Sequence, residues 1–148
     1  MKVAIRYYTR TGNTEKLAKV IEEVTGVEAK KVDNKLEEDV DILFLGSSVY
    51  AAGIDNEIKK FIAGIDVNVK KVVSFSTAAM LGSPYKQIEK LLGEKGIVLD
   101  TRHFHCKGKF LNMLKDRPNE EDLNNLREFV KDILNKDEQV HLWLYRIL

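Results

Sequence analysis

Apolar positions along this chain fall in short runs whose spacing switches repeatedly between a strand-like and a helix-like period. Val3 to Tyr8, preceded by Lys2, is a mostly apolar run of strand length, after which Leu17, Ala18, Ile21 and Val24 recur on one helical face. Gly26 suits a helix stop, and Val27 to Val32 reads as a more polar, outer strand before the acidic connection around Glu37 to Asp39. In Val40 to Leu45 the residues Ile42, Leu43, Phe44 and Leu45 stand side by side, as expected for a parallel strand buried on both faces, with Gly46 as its end. Asp55 is placed to cap a second helix with Ile58, Phe61, Ile62 and Ile65 inward, and Val69 to Ser76 restores a β-branched run. Ser83 and Pro84 open a third helix carrying Ile88, Leu91 and Leu92, with Gly93 suited to its end.

Gly96 to His105 predicts a fifth strand with a break near Asp100 to Arg102, and Cys106 to Arg117 an irregular connection closed by Pro118 and Asn119. Glu120, Glu121 and Asp122 bring negative charge to a helix N-terminus, ahead of the stripe Leu123, Leu126, Phe129, Val130, Ile133 and Leu134. Strict alternation of five strands and four helices implies a parallel sheet covered on both faces, a three-layer doubly wound sandwich with right-handed crossovers. We read one domain over residues 1–135 and a separate apolar tail over 136–148.

Composition narrows the classes. The chain has 148 residues, enough for a core without metal or disulfide support, and its 44% hydrophobic and 32% charged content is that of a folded domain. A net charge of +1 with Lys and Arg scattered among Asp and Glu lacks the basic stripe expected of a nucleic-acid binder. The single cysteine, Cys106, has no internal disulfide partner, and the N-terminus shows no secretion signal, so the cytoplasm is the expected compartment and no membrane-spanning segment is expected.

In an open parallel sheet, ligands bind beyond the carboxyl ends of the strands where strand order reverses. Three segments lie there: Thr9 to Thr14 after the first strand, Ser47 to Gly53 after the third, and Thr77 to Gly82 after the fourth. The first, Thr9-Arg10-Thr11-Gly12-Asn13-Thr14, places hydroxyls, an amide and a permissive glycine where a strand turns into a helix. Free backbone N–H groups and the positive helix end at such a turn suit an anion. It has neither the Gly-Lys-Ser/Thr ending of a P-loop nor the spaced glycines of a dinucleotide fold.

Directly after a first strand, this hexapeptide resembles the Ser/Thr-x-Thr-Gly-x-Thr phosphate loop of the flavodoxins, and the order of elements over residues 1 to about 135 is similar to theirs. The resemblance, rather than periodicity, implies a five-stranded sheet in the order 2-1-3-4-5 with FMN at its switch point. It implies that Thr9, Arg10, Thr11, Gly12, Asn13 and Thr14 bind the FMN phosphate. Ser47, Ser48, Val49, Tyr50, Ala51 and Gly53 would then flank the isoalloxazine ring from one side, and Ser76, Thr77, Ala78, Ala79 and Met80 from the other. Tyr50 is the aromatic expected to stack on the ring, and Gly53 the residue expected to let a peptide turn over beside it. With Arg10 near the phosphate and no acid within 47–54 or 77–82, reduced flavin would meet less like-charge repulsion than in acidic relatives, so a less depressed potential is expected.

The function implied is electron transfer, with a redox partner protein on either side. A second reading is a flavin oxidoreductase acting on a quinone or porphyrinogen, because Gly46-Ser47-Ser48-Val49-Tyr50 also resembles the menaquinone-dependent protoporphyrinogen oxidases of flavodoxin fold. A third is an interaction domain without flavin. A phospho-receiver is disfavoured, since the third strand ends in Gly46-Ser47 with no aspartate, and no Gly-x-Ser-x-Gly elbow points to a hydrolase. His103, His105 and Cys106 offer no third or fourth ligand for a metal, and Cys106 has no evident activating partner. Val140 to Leu148 is unusually apolar and too short to span a bilayer; it is expected to find cover on its own domain, on another subunit, or on a partner or membrane surface, with self-association into a homodimer the favoured reading.

Overall fold

The structure, a computed structural model, describes residues 1–50, 53–78, 82–108 and 116–148. Strands β1 (Val3–Tyr7), β2 (Ala29–Lys31), β3 (Val40–Tyr50), β4 (Gly53–Ile54), β5 (Val69–Ala78) and β6 (Phe104–Lys107) alternate with helices α1 (Asn13–Thr25), α2 (Asn56–Ala63), α3 (Tyr85–Glu94) and α4 (Glu120–Ile147). The parallel sheet runs β2-β1-β3-β5-β6, which is the expected five-strand order, with β4 folded back antiparallel on the end of β3.

Alternation along the central strands distributes their side chains to two cores. Val40, Leu43 and Leu45 of β3 and Val72 of β5 pack with Ile58, Ile62, Ile88 and Leu92 from α2 and α3. Ile42, Phe44, Val73 and Phe75 face the other way, against Leu17 and Ile21 of α1 and Leu126, Val130 and Ile133 of α4. Burial on both sides is why these strands read as continuous apolar runs.

Three boundaries differ from expectation for local physical reasons. Gly46 does not end its strand: β3 continues in register with β5 through Gly46↔Phe75, Ser47↔Ser76 and Ser48↔Thr77. A side chain at 46 would overlap the Phe75 ring, so the glycine marks close packing rather than a break. The fifth strand is shorter than Gly96 to His105, with its ladder confined to Phe104–Lys107 and a lone bridge at Val72↔Leu99. Between them Arg102 N donates to Asp100 Oδ1 at 2.8 Å, turning the chain out of the ladder. Residues 136–147, read from sequence as a tail, continue α4 without interruption.

Helix α4 is anchored at both levels of the sheet. At its start Asn119 and Asp122 form a reciprocal capping box, with Asp122 N donating to Asn119 Oδ1 at 3.0 Å and Asn119 N to Asp122 Oδ2 at 2.9 Å. Arg117 adds a two-pronged bond to Asp122 at 2.7 and 2.8 Å. Further along, Asp137 meets Lys71 at the start of β5 and Arg102 at 3.0 Å. Asp100 completes this cluster; burial alone would raise its pKa, but hydrogen bonds from Arg102 and Lys71 hold it well below the usual carboxylate range. Past Asp137 the helix runs beyond the N-terminal edge of the sheet, where Val140 and Leu144 border Met1, Asp41 and Lys70. Among the described residues no helix is long and apolar enough to cross a membrane.

Candidate functional site

The turn from β1 into α1 sits at the C-terminal edge of the sheet, and its geometry follows from Thr9 and Gly12. Gly12 N donates to Thr9 Oγ1 at 2.9 Å, closing the turn, while Gly12 itself takes φ 93, which favours glycine. Among the described residues no atom lies within 4 Å of where a Cβ on Gly12 would stand, so the turn is open on that side. No side chain caps the N-terminus of α1, although α4 of the same molecule is fully capped. Helix termini leave their first N–H groups without intrahelical partners. An uncapped end beside a left-handed glycine and two threonines is chemically fitted to an anion such as a phosphate.

Thr14 ties this turn to the other two segments. Its Oγ1 donates toward the Ser47 carbonyl at 3.3 Å, shares a 2.7 Å hydrogen bond with Ser48 Oγ and lies 3.4 Å from Thr77 Oγ1. Thr14, Ser47, Ser48, Ser76 and Thr77 are all buried. The hydroxyls of Ser47, Ser48, Ser76 and Thr77 sit on the ends of β3 and β5 rather than on loops, so the sheet itself sets their spacing. Among the described residues Ser47 Oγ has no hydrogen-bond partner, an unusual state for a fully buried hydroxyl.

Asp55 was missed as a site residue because its position before a helix suggests a cap. Its side chain makes no cap hydrogen bond; it receives Arg10 Nε at 2.9 Å and forms an ion pair with Arg10 Nη2. The carboxylate lies one residue beyond the segment searched for acids in the sequence, so Arg10 reaches the site already paired. Asp55 is buried, and among the described residues its second oxygen, Oδ2, is without a partner.

Gly53 adopts φ 95, and its neighbour Ile54 N donates to Gln87 Oε1 at 3.1 Å, which pins the β3–β4 turn to α3. Tyr50 ends β3 in the pairing Tyr50↔Gly53, but its side chain, with Ala51, Ala79 and Met80, lies outside the described residues. Val49 pairs with Ile54, and Ala78 is buried at the end of β5.

A second residue missed in the sequence is Gly108, read there as part of the irregular connection Cys106 to Arg117. It follows β6, and a Cβ on it would stand 2.7 Å from Asn13 Nδ2 and 3.1 Å from Thr77 Cβ. Only a glycine there lets the end of β6 close against the first turn of α1.

Beneath the site, Ser76 Oγ and His105 Nδ1 share a 2.7 Å hydrogen bond. Burial, reinforced by His103, holds the His105 pKa below its ordinary value. His103 instead packs on Tyr85, ring centroids 4.6 Å apart. Cys106 is buried and its thiol is pushed up to about 12 by burial and by Asp122, so it remains protonated and a poor nucleophile. Among the described residues no group of three or more His, Cys, Asp or Glu side chains is arranged to hold a metal ion.

A doubly wound parallel sheet in the order β2-β1-β3-β5-β6, with an open turn from β1 into α1 at its C-terminal edge, defines the flavodoxin-like class of α/β fold. The chain belongs to the flavodoxin-domain family, whose model matches residues 4–135. It is 32% identical to an uncharacterized protein of Methanocaldococcus jannaschii over 90% of this chain and 99% of that one. It is 29% identical to a flavodoxin of Clostridium saccharobutylicum over 73% of this chain and 70% of that one. Among solved structures, an archaeal flavodoxin superposes with a TM-score of 0.74 at 19% identity, covering 92% of this chain and 98% of its own.

Proposed function

We propose that this chain binds FMN non-covalently at the C-terminal edge of the sheet and carries electrons between redox partner proteins. The observation that carries the reading is the uncapped start of α1 at Gly12, open to the outside and joined through Thr14 to the ends of β3 and β5. Membership of the flavodoxin-domain family supports it.

In this reading Thr9, Arg10, Thr11, Gly12, Asn13 and Thr14 hold the phosphate. The hydroxyls of Thr9 and Thr11 and the first N–H groups of α1 supply donors, and Thr14 keeps the three segments in register. Ser47, Ser48, Val49, Tyr50, Ala51 and Gly53 line one side of the ring site, and Ser76, Thr77, Ala78, Ala79 and Met80 the other. Small residues there let a flat ring approach backbone, and Tyr50 offers a stacking face. Bound FMN supplies the redox chemistry; the chain supplies binding, orientation and electrostatics. Arg10 and Asp55 nearly cancel in charge, so the electrostatic setting around the ring is close to neutral. The single cysteine agrees with a reducing, cytoplasmic setting.

The first test is the visible absorption spectrum of the purified chain before and after adding FMN, with chromatography of any flavin released. Stoichiometric FMN binding is the expected result, followed by electron exchange with a protein donor. Folded protein that takes up no FMN would overturn the reading and leave an interaction domain on this fold. Rapid steady-state turnover with a quinone or a porphyrinogen would make the chain an oxidoreductase instead of a carrier.

A further inference from the structure

The last turns of α4 are apolar nearly all round and largely uncovered. Leu142 is 51% exposed, Trp143 60% and Tyr145 80%, and Ile147 is exposed with them. Helices of that kind are normally buried, and a contiguous exposed apolar patch marks a contact surface. The family model ends at residue 135, so this overhang lies beyond the matched domain.

Charge placement selects the occupant. Helical spacing sets Leu142 half a turn round α4 from Ile133, whose side chain is fully buried, so Leu142 points away from the sheet. Glu138 lies one turn before Leu142 on that outer side and Arg146 one turn after it. Both are exposed, and neither makes a hydrogen bond or ion pair among the described residues. Every other arginine does: Arg6, Arg10, Arg102, Arg117 and Arg127 all have hydrogen-bond acceptors. An acid, an apolar centre and a base in a row form a pattern that is its own complement when turned through a two-fold axis.

We infer that α4 pairs antiparallel with α4 of a second copy of this chain, the two-fold axis passing beside Leu142. Leu142 and Trp143 of each copy then pack together, and Glu138 of each faces Arg146 of the other, giving two ion pairs per dimer. A lipid surface fits less well. A helix lying on a membrane carries Lys and Arg along its polar face, whereas Arg146 is the one Lys or Arg between Asp137 and Leu148 and is matched by Glu138. The neighbouring Lys2 and Lys70 are already paired with Glu38 and Asp41.

The overhang leaves the sheet at its N-terminal edge, opposite the turn at Gly12. The dimer therefore points both candidate sites outward, and its formation is independent of whether they hold FMN.

Sedimentation velocity of the full chain across a concentration series tests this directly. The expected result is a reversible monomer–dimer equilibrium, abolished by Leu142→Glu with unchanged circular dichroism. Glu138→Arg or Arg146→Glu alone is expected to weaken the dimer about tenfold, since each sets like charges opposite one another twice, and the double swap to restore it to within about threefold. A monomer at every concentration, a dimer indifferent to the charge reversals, or a monomer that floats with phosphatidylcholine–phosphatidylglycerol vesicles would overturn the inference. FMN titration of the same samples separates the two readings: a dimer that takes no FMN removes the electron carrier and leaves the helix pair standing.

Discussion

Arg10 Nε lies 2.9 Å from Asp55 Oδ1, joining the turn after β1 to the start of α2 across the mouth of the candidate site. The carboxylate is buried at 5% side-chain exposure, while the guanidinium is 55% exposed. Asp55 is therefore the partner with more to lose from separation, because an unpaired carboxylate in that position has little water to turn to. We expect Arg10→Gln to destabilise the fold by about 1–2 kcal/mol, less than for a fully buried pair because one partner is solvated. Urea unfolding checks it.

The same pair sets the charge near a bound flavin. Asp55→Asn keeps a residue equally suited to the start of α2 but removes the negative charge that Arg10 meets there. The expected outcome is FMN binding several-fold tighter and an upward shift of the midpoint potential for full reduction, because added positive charge favours the anionic reduced form. Potentiometric titration of wild type and variant decides it; an unchanged or lower potential would refute the charge argument.

Gly46 lies where β3, β5 and α1 meet. A methyl group there would overlap the Phe75 ring and stand 3.0 Å from Thr14 Cγ2. Gly46→Ala is expected to cost about 1–3 kcal/mol, the usual scale for overpacking a filled core, and to weaken FMN binding by displacing Thr14. Denaturant unfolding and flavin titration measure the two effects separately.

Cys106 offers a chemical probe of packing. Burial and Asp122 hold its thiol protonated, with a pKa pushed up to about 12. Thiol titration with a disulfide reagent is expected to be slow in the native protein and complete once it is unfolded. Fast labelling of the folded chain would show that the end of β6 opens readily.

His105 links stability to pH. Its pKa is lowered by burial and by His103, so the native state holds it neutral through a range where the unfolded chain, titrating near 6.5, binds a proton. Unfolded protein then carries more protons, and stability falls as pH drops below about 6.5. His105→Asn, which keeps a group near Ser76 but does not titrate, is expected to flatten that slope in thermal melts. Asp100 is shifted in the same direction, held low by Arg102 and Lys71, and contributes stability that is present above the unfolded carboxylate value of 3.8 and lost as pH falls below it.

Much of this architecture was legible in local pattern. Ile42 to Leu45 announced a strand buried on two faces because parallel strands between helix layers have no solvent side, and both cores receive those residues in alternation. Leu17 and Ile21, or Leu126, Val130 and Ile133, announced helix faces because their spacing matches one turn and each is fully buried. The turn at Thr9 to Thr14 was visible because hydroxyls and a glycine between strand and helix satisfy a local backbone need.

What escaped the sequence depends on residues distant in the chain. Gly46 looked like a strand end, and only the Phe75 ring across the sheet shows that it is a packing position. Gly108 read as one residue of an irregular connection until the fold brought Asn13 and Thr77 against it. Asp55 read as a helix cap, since local preference favours Asp there, but Arg10 from another strand end supplies a charged partner and takes the side chain. The apolar ending read as a tail until α4 proved continuous, because the anchor that carries it past the sheet, Asp137 with Lys71 and Arg102, joins three separate elements. Sequence alone determined the periods, caps and turns, which are set by neighbours within a few residues; tertiary structure decided which side chains meet across strands, because steric fit and charge pairing act through space.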